Sequence, residues 1–350
     1  MTLIMQYSLT FPSGTVRYIF QSRFEELSRF TDTENCIFLV DSKVAGLHTN
    51  LISNHRAITI TAEETQKSLS QLEEVVAQLL KLEAHRQTTL IGVGGGITTD
   101  LTGFIASTYM RGIPFGFVPT TLLGMADAAI GGKNGLNLGL QKNLLGTIQQ
   151  PTFIFYDTRF LATLPPGEWS NGFAEIIKYA CLFDNALFEE LSLHDLAYYQ
   201  NNSEGLQLLI ERCVDWKNNI VLSDEKENNK RKLLNFGHTV GHAIETVHSL
   251  PHGAAVALGI AIACRISETH SGLAPAITER LQSLLNRYNL PSSYQLRIDD
   301  LMQVLKMDKK RTATSIDYIL LEDIAKPLIK DLPFSAIQEA LENHCYAGSN

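Results

Sequence analysis

The residues that could most readily do chemistry in this chain are a carboxylate and three imidazoles. Glu175 lies in Gly-Phe-Ala-Glu-Ile-Ile-Lys (172 to 178), His238 and His242 lie in Asn-Phe-Gly-His-Thr-Val-Gly-His (235 to 242), and His252 lies in Pro-His-Gly (251 to 253). One carboxylate, two histidines and an open position form a catalytic rather than a structural zinc site. The residue types leave open which histidines bind the metal. Lys178 follows Glu175 by one helical turn, so a cation would lie beside the metal, which suits an anionic, hydroxylated substrate.

The histidine pair also has an ordinary explanation, because histidines four residues apart on an amphipathic helix are often only packed or exposed. Here each histidine follows a glycine, Gly237 and Gly241. A glycine weakens a helix by about 1 kcal/mol relative to alanine. Two of them in an otherwise apolar helix indicate that another group approaches its backbone closely, and we favour the functional interpretation.

The composition predicts a soluble protein of two domains. The chain has 350 residues, of which 45% are hydrophobic and 19% charged, and its net charge is −8. That charge argues against nucleic acid or an anionic membrane surface as a partner. Five scattered cysteines without a Cys-x-x-Cys motif fit a reducing cytoplasm. The chain begins without a basic segment and a long apolar run, so we expect a first strand there rather than a signal peptide.

The first half of the chain alternates strands and helices. We predict strands at 36–41, 57–61 and 88–93 and an amphipathic helix at 64–85, followed by the glycine run 94–96. This βαβ order predicts a parallel, Rossmann-like sheet with right-handed crossovers.

Pro165-Pro166-Gly167 is the best candidate for a domain boundary, which divides the chain into an α/β domain (1–166) and a mainly α-helical domain (167–350). Beyond this point the pattern is mostly helical, with a short strand near 318–321. The predicted helices are 168–181, 185–194, 203–222, 236–248, 253–270 and 276–288.

The glycine run Gly94-Gly95-Gly96 follows a predicted strand and opens a predicted helix. Such a turn lets the backbone approach a pyrophosphate, whose charge the helix N-terminus favours. The spacing is not Gly-x-Gly-x-x-Gly, so a simple tight turn is the alternative. Asp41 ends an earlier strand and could accept a hydrogen bond from a ribose hydroxyl, or could only cap the next helix.

A second glycine-rich segment, Gly131-Gly132-Lys133-Asn134-Gly135, precedes Lys142-Asn143. Its lysines and amide indicate a phosphate site in a loop region, with a solvated loop as the alternative. Asp127 would add a carboxylate nearby. The charged stretch 224–232 is typical of a solvated loop.

Taken in order, these segments resemble the 3-dehydroquinate synthase family, the sugar phosphate cyclases of the shikimate pathway and aromatic amino acid biosynthesis. The matching motifs are Gly-Gly-Gly-x-x-x-Asp (94–100), Thr-Tyr-Met-Arg-Gly (108–112), Val-Pro-Thr-Thr-Leu-Leu (118–123), Gly-Gly-Lys-x-Gly-x-Asn (131–137), Lys-Asn (142–143), Ala-Glu-Ile-Ile-Lys (174–178), Leu-Leu-Asn-Phe-Gly-His-x-x-Gly-His (233–242), His-Gly (252–253) and Asp-Lys-Lys (308–310).

The resemblance implies a dehydroquinate synthase-like fold and a zinc or cobalt ion on Glu175, His238 and His252, with His242 left to the substrate. It implies an NAD⁺ site formed by Asp41, Glu64, Lys67, Gly94, Gly95, Gly96, Asp100, Thr120, Thr121, Lys133, Lys142, Thr163 and Leu164. It implies a site for an anionic sugar phosphate formed by Asp127, Lys133, Asn143, Lys178, Lys217, Arg231, Asn235, His242 and one lysine of the pair Lys309-Lys310, for which we choose Lys310. Arg111 would reach the site of a neighbouring subunit in a homodimer.

The resemblance also implies the reaction: transient oxidation by NAD⁺, elimination of phosphate, reduction, and closure of the ring by an aldol step. In one respect the sequence departs from the family, because Ala254 follows His252-Gly253 where the family usually has glutamate. We expect this change to remove a carboxylate near the metal. The alternatives are a cyclase acting on another sugar phosphate and a metal-dependent NAD alcohol dehydrogenase.

Overall fold

The structure is a computed structural model that describes residues 5–139, 141–307 and 314–347. It forms two compact units. The first contains the described residues up to Pro165 together with Ser203–Lys226, and the second contains Pro166–Asn202 and the described residues from Glu227 onward.

The strands of the first unit are β1 (Met5–Phe11), β2 (Gly14–Phe20), β3 (Cys36–Asp41), β4 (Ala57–Ile60), β5 (Thr89–Gly94), β6 (Phe115–Pro119), β7 (Lys133–Leu138), β8 (Gln141–Ile148) and β9 (Phe153–Phe155). The second unit adds β10 (Ser315–Asp323) and β11 (Lys326–Pro333). The α-helices are α1 (Ser42–Leu47), α2 (Thr49–Ile52), α3 (Leu69–Lys81), α4 (Gly96–Thr108), α5 (Pro166–Phe183), α6 (Asn185–Leu193), α7 (Leu196–Asn201), α8 (Ser203–Ser223), α9 (His238–His248), α10 (His252–His270), α11 (Pro275–Arg287), α12 (Ile298–Leu305) and α13 (Phe334–Ala347).

The core of the first unit is a sheet with the strand order β1-β2-β9-β6-β5-β3-β4. All its pairings are parallel except the β1–β2 hairpin at one edge. Strands β3 and β6 are apolar and buried almost throughout, because helices covering both faces of a parallel sheet leave no face for water. This confirms the predicted α/β architecture, and the antiparallel edge is an addition to it.

Helix α8 belongs to the first unit, although it lies between helices of the second unit in the chain. Two tyrosines of the edge hairpin hold it there. Tyr7 Oη donates to Asp215 Oδ1 at 2.9 Å, and Tyr18 Oη donates to Asn218 Oδ1 at 2.6 Å. A single cut of the chain at residue 166 therefore does not describe the two units.

The helix predicted at 64–85 is shorter at both ends and spans Leu69–Lys81. Ser68 caps α3 by accepting a hydrogen bond from the Gln71 amide. The residues before it form a 3₁₀ turn, Glu64–Gln66, and Asn137 Nδ2 donates to both the backbone carbonyl and the side chain of Glu64.

The segment predicted as a glycine-rich loop is an antiparallel hairpin, β7–β8, which pairs Lys133 with Ile148 and Leu138 with Gln141. The prediction of a loop was wrong because the glycines of this segment allow two strands to pack closely. Gly135 and Gly146 face each other across the hairpin.

The second unit is mainly helical, as predicted. Its helices α5, α6, α9, α10 and α11 begin and end within two residues of the predicted positions. Helices α5 and α10 are buried on nearly all sides, so they form the centre of this unit. The strand expected near 318–321 is part of β10, which pairs with β11. Within the part of the chain that the structure describes, no helix is both long and apolar enough to cross a membrane.

Candidate metal centre and neighbouring sites

Three helices of the second unit bring Glu175, His238 and His252 together. Glu175 Oε1 lies 3.2 Å from His238 Nε2 and 3.1 Å from His252 Nε2. One ligand atom from each residue lies within 4.8 Å of the other two. The donors are one carboxylate oxygen and two imidazole nitrogens, which is the ligand chemistry of a catalytic zinc or cobalt site. The residues therefore fit a divalent metal.

The backbone of α9 approaches that of α10 very closely at Gly241. A Cβ atom at this position would lie 3.0 Å from the Ala255 carbonyl oxygen and 3.3 Å from the Val256 Cα. A larger side chain at Gly241 would therefore push apart the two helices that carry His238 and His252. This finding confirms that another group approaches the backbone of the histidine-bearing helix.

The side chains are arranged so that each histidine presents Nε2 to the metal position. His238 Nδ1 lies 3.0 Å from the Phe236 carbonyl oxygen, so the ring donates through Nδ1 and keeps the Nε2 lone pair free. Burial lowers the pKa of His238, although Glu175 opposes the shift. A neutral imidazole is the form that binds a metal.

Glu175 is completely buried, with 0% of its side chain exposed. Burial alone would raise the pKa of its carboxyl, but Lys178 and His238 outweigh burial and hold that pKa well below its usual range. Burial alone would lower the pKa of His252, but its hydrogen bonds to Glu175 and Glu245 outweigh burial and raise that pKa to about 10.

The predicted substrate residues of the second unit surround this cluster to different degrees. Lys178 forms an ion pair with Glu175, and the ring of His242 lies 5.2 Å from that of His238 and 6.3 Å from that of His252. His242 is exposed, in contrast to the metal group. The structure therefore brings Lys178 and His242 to the candidate metal centre.

Arg231 and Asn235 lie on a 3₁₀ helix, Lys230–Asn235. Asn235 Nδ2 donates to Glu227 Oε1 at 2.7 Å, and Arg231 is only 1% exposed. Arg231, and Glu225 in the first unit, are buried exceptions in the stretch 224–232, which was expected to be a solvated loop, whereas Lys226 and residues 228–230 are exposed as expected. A buried arginine in a polar segment indicates a structural or ligand-binding role for its charge.

In the first unit, Lys217 on α8 is paired with Asp127. Lys217 Nζ lies 2.8 Å from Asp127 Oδ1 and donates to the Asp127 backbone carbonyl at 2.7 Å. Only 9% of the lysine side chain is exposed. The structure thus places one predicted substrate residue directly against another.

A second polar cluster of the first unit joins residues predicted for cofactor and substrate. Lys67 Nζ contacts both Asp100 Oδ2 and Asn143 Oδ1. Burial raises the pKa of Asp100, and the charge of Lys67 opposes that shift. Asn137, which the sequence did not single out, accepts from the Asn143 amide at 2.9 Å and donates to Glu64 at 2.8 Å.

The predicted pyrophosphate turn lies between β5 and α4. Gly95 is the N-cap of α4, and among the described residues no side chain caps that end, so the first amides of the helix remain available to a ligand. A Cβ atom at Gly95 would lie 3.0 Å from Thr121 Cγ2. The turn is therefore a backbone cradle that a larger residue would fill, and it fits a dinucleotide phosphate.

The other predicted residues of the first unit have varied surroundings. Asp41 caps α1 by accepting from the Lys43 amide at 3.0 Å, which is the local role weighed as its alternative. Thr163 Oγ1 lies 3.0 Å from His48 Nε2. Arg111 is exposed and has a left-handed backbone with φ 68°.

Lys133 and Lys142 are exposed on the β7–β8 hairpin. Thr120 is buried, and Leu164 follows the 3₁₀ helix that contains Thr163. Lys309 and Lys310 lie outside the residues that the structure describes.

Two residues that sequence reasoning missed contact the predicted site residues. Asn137 closes the motif Gly-Gly-Lys-x-Gly-x-Asn, which was a usable signal. Glu245 follows His242 by three residues and His238 by seven, which places all three on one face of α9. Glu245 Oε2 lies 3.3 Å from His252 Nδ1.

Comparison with solved structures gives the class of the fold. The chain superposes on 2-deoxy-scyllo-inosose synthase complexed with carbaglucose-6-phosphate, NAD⁺ and Co²⁺ with a TM-score of 0.86 and 24% identity, covering 97% of this chain and 100% of that one. It superposes on 2-epi-5-epi-valiolone synthase from Streptomyces hygroscopicus, with NAD⁺ and Zn²⁺ bound, with a TM-score of 0.85 and 25% identity, covering 99% and 100%. The fold is that of the sugar phosphate cyclases.

Sequence comparison narrows the class to a family. The amino-terminal family model of 3-dehydroquinate synthase matches residues 57–171, and the carboxyl-terminal model matches residues 172–311. A 3-dehydroquinate synthase of Leptospira interrogans is 35% identical over 333 residues, which are 93% of this chain and 92% of that protein. One of Dichelobacter nodosus is 40% identical over 273 residues, which are 77% and 74%. The chain belongs to the 3-dehydroquinate synthase family.

Proposed function

We propose that this enzyme is a 3-dehydroquinate synthase, which converts 3-deoxy-D-arabino-heptulosonate 7-phosphate to 3-dehydroquinate and phosphate. The observation that carries the proposal is the group Glu175–His238–His252, with its carboxylate buried and Lys178 beside it, in a chain of this family. Three protein ligands leave a coordination position of the metal for a substrate hydroxyl, and the cation beside them can attract a substrate anion. An anionic, hydroxylated substrate requires both.

The second unit would hold a divalent metal, zinc or cobalt, on Glu175, His238 and His252, and the first unit would hold NAD⁺ at the Gly94–Gly96 turn. When bound, the metal supplies a Lewis acid for neighbouring hydroxyls, and NAD⁺ supplies a hydride acceptor that is regenerated within each turnover. The NAD⁺-bound and metal-bound structures of related fold support this pair of cofactors.

The residues around these positions would orient the substrate and move its protons. Lys178 has only 2% of its side chain exposed, so its ammonium group has a fixed position beside Glu175 and can attract a substrate anion. The exposed imidazole of His242 can accept or return a proton, the role that histidines most often have in acid–base catalysis.

Arg231 would bind the substrate's carboxylate, since a guanidinium can form two parallel hydrogen bonds with it. Lys133 and Asn143 would bind its phosphate. The family resemblance further supports a cytoplasmic homodimer in which Arg111 reaches the neighbouring subunit's site.

Substrate choice provides the test of this function. The protein, with NAD⁺ and Zn²⁺, is incubated separately with 3-deoxy-D-arabino-heptulosonate 7-phosphate and with glucose 6-phosphate, which has no carboxylate, and released phosphate is measured. We expect phosphate only from the carboxylated substrate. Release only from glucose 6-phosphate would contradict the proposal and indicate another sugar phosphate cyclase.

A further inference from the structure

The imidazole of His252 lies between two carboxylates. Its Nε2 is 3.1 Å from Glu175 Oε1, and its Nδ1 is 3.3 Å from Glu245 Oε2. Glu245 comes from α9, whereas Glu175 comes from α5. Each ring nitrogen of His252 therefore faces a different carboxylate. Only Nε2 is directed at the candidate metal centre that includes Glu175 and His238.

The two histidines of the candidate metal centre differ in their outer partners. His238 Nδ1 is paired with a neutral backbone carbonyl, that of Phe236, whereas His252 Nδ1 is paired with a carboxylate. A carboxylate is the stronger acceptor, because hydrogen bonds to charged groups are stronger than those between neutral groups. It also makes the opposite nitrogen of the ring a more basic ligand.

His252 depends on such a partner more than His238 does. Both histidines are the first residues of their helices, but 31% of the His252 side chain is exposed, compared with 12% for His238. Packing alone thus restricts its ring less. A hydrogen bond from Nδ1 to Glu245, a side chain with 13% exposure, fixes both the rotation of the ring and its tautomer.

We infer that Glu245 is a positioning residue that holds His252 with Nε2 directed at the metal, and this rests on the proposed metal site. A carboxylate thus lies beside a candidate ligand histidine even though residue 254 is alanine. His242, Glu245 and His252 also form a group within 4.8 Å, so the competing role for Glu245 is that of a metal ligand in a second site.

The test titrates Co²⁺, followed by its visible absorption, into metal-free wild type and the variants Glu245→Ala and Glu245→Gln. Glu268→Gln is the matched control, because Glu268 is a carboxylate of similar exposure, 18%, in the same unit and pairs with Arg265. We expect one bound Co²⁺ per chain in all four proteins. Glu245→Ala should bind about 10- to 100-fold more weakly, whereas Glu245→Gln, which still offers an oxygen to Nδ1–H, should recover part of that loss.

Three results would overturn the inference. Equal Co²⁺ affinity in wild type and Glu245→Ala would overturn the inference but leave the proposed metal site in place. A second Co²⁺ in wild type that disappears in Glu245→Ala would make Glu245 a ligand. A wild type that binds no Co²⁺ would overturn it together with the proposed metal site. Thermal unfolding of the metal-free proteins separates these results from a folding defect, and Glu245→Gln preserves the shape of the side chain if Glu245→Ala does not fold.

Discussion

Lys178 and Glu175 form an ion pair one turn apart on α5, with 2% and 0% of their side chains exposed. Two charges so far from water are costly unless they are paired. The pair also determines the state of the metal ligand, because the lysine keeps the Glu175 carboxyl ionised in a buried position. The ammonium group of Lys178 thus stabilises an ionised ligand of the metal centre before any substrate is present.

Removing that cation should destabilise the metal-free protein. Lys178→Met leaves the Glu175 carboxylate buried, and losing one partner of a buried pair costs about 3–5 kcal/mol. Chemical denaturation in chelator measures the loss, and Zn²⁺ should restore part of it because the metal also neutralises Glu175. The control is Lys232→Met, whose ion pair with Asp317 is 41% and 44% exposed and should contribute at most about 1 kcal/mol. Equal losses in the two variants would contradict this account.

The histidines should separate into a ligand and a substrate residue. His238→Ala removes the ligand atom Nε2, which lies 3.2 Å from Glu175, so the purified variant should lose both its metal and its activity. His242→Ala should retain the metal and lose turnover. Metal content by mass spectrometry and phosphate release measure the two effects. Metal loss in His242→Ala with retention in His238→Ala would reverse the assignment.

Arg231 should report the substrate's carboxylate. Arg231→Lys keeps the charge but loses the paired donors of the guanidinium, and a lost charged hydrogen bond is worth roughly 1.5–3 kcal/mol. We expect kcat/KM to fall about ten- to a hundredfold, with metal and NAD⁺ binding unchanged. Arg287→Lys, at an exposed position of α11, is the control for the same substitution outside the site. Unchanged kcat/KM in Arg231→Lys would refute the assignment.

Gly95 should be required for NAD⁺ binding. Gly95→Ala places a methyl group 3.0 Å from Thr121 Cγ2, where it would fill the cradle at the start of α4. Calorimetry should show weaker NAD⁺ binding with unchanged metal binding. Gly46→Ala is the matched control, because its Cβ would meet nothing within 4 Å among the described residues. Wild-type NAD⁺ affinity in Gly95→Ala would mean that the dinucleotide does not use this turn.

The sequence alone indicated the residues of the candidate metal centre because their spacing is local, whereas the choice of His252 over His242 as a ligand came from the family resemblance. Glu175 and Lys178 are one turn apart, and His238, His242 and Glu245 repeat along one face of α9. The repeat contained Glu245, but a glutamate on a helix is too common to be noticed without its partner, which comes from another helix.

What the sequence could not predict depends on residues far apart in the chain. The place of α8 in the first unit rests on the bonds from Tyr7 to Asp215 and from Tyr18 to Asn218. Arg231 looks like an exposed charge in its own segment, and only tertiary packing buries it. Burial and long-range pairing are properties of the folded chain, whereas helical spacing is a property of the segment.

The most direct test of the proposed function supplies the Zn²⁺-loaded enzyme with a large excess of 3-deoxy-D-arabino-heptulosonate 7-phosphate over NAD⁺. Released phosphate, 3-dehydroquinate and the absorbance of NADH are followed together. We expect phosphate and 3-dehydroquinate in equal amounts, both far exceeding the NAD⁺ supplied, with no accumulation of NADH. Product limited to the amount of NAD⁺, with an equal amount of NADH, would contradict the account and indicate a dehydrogenase.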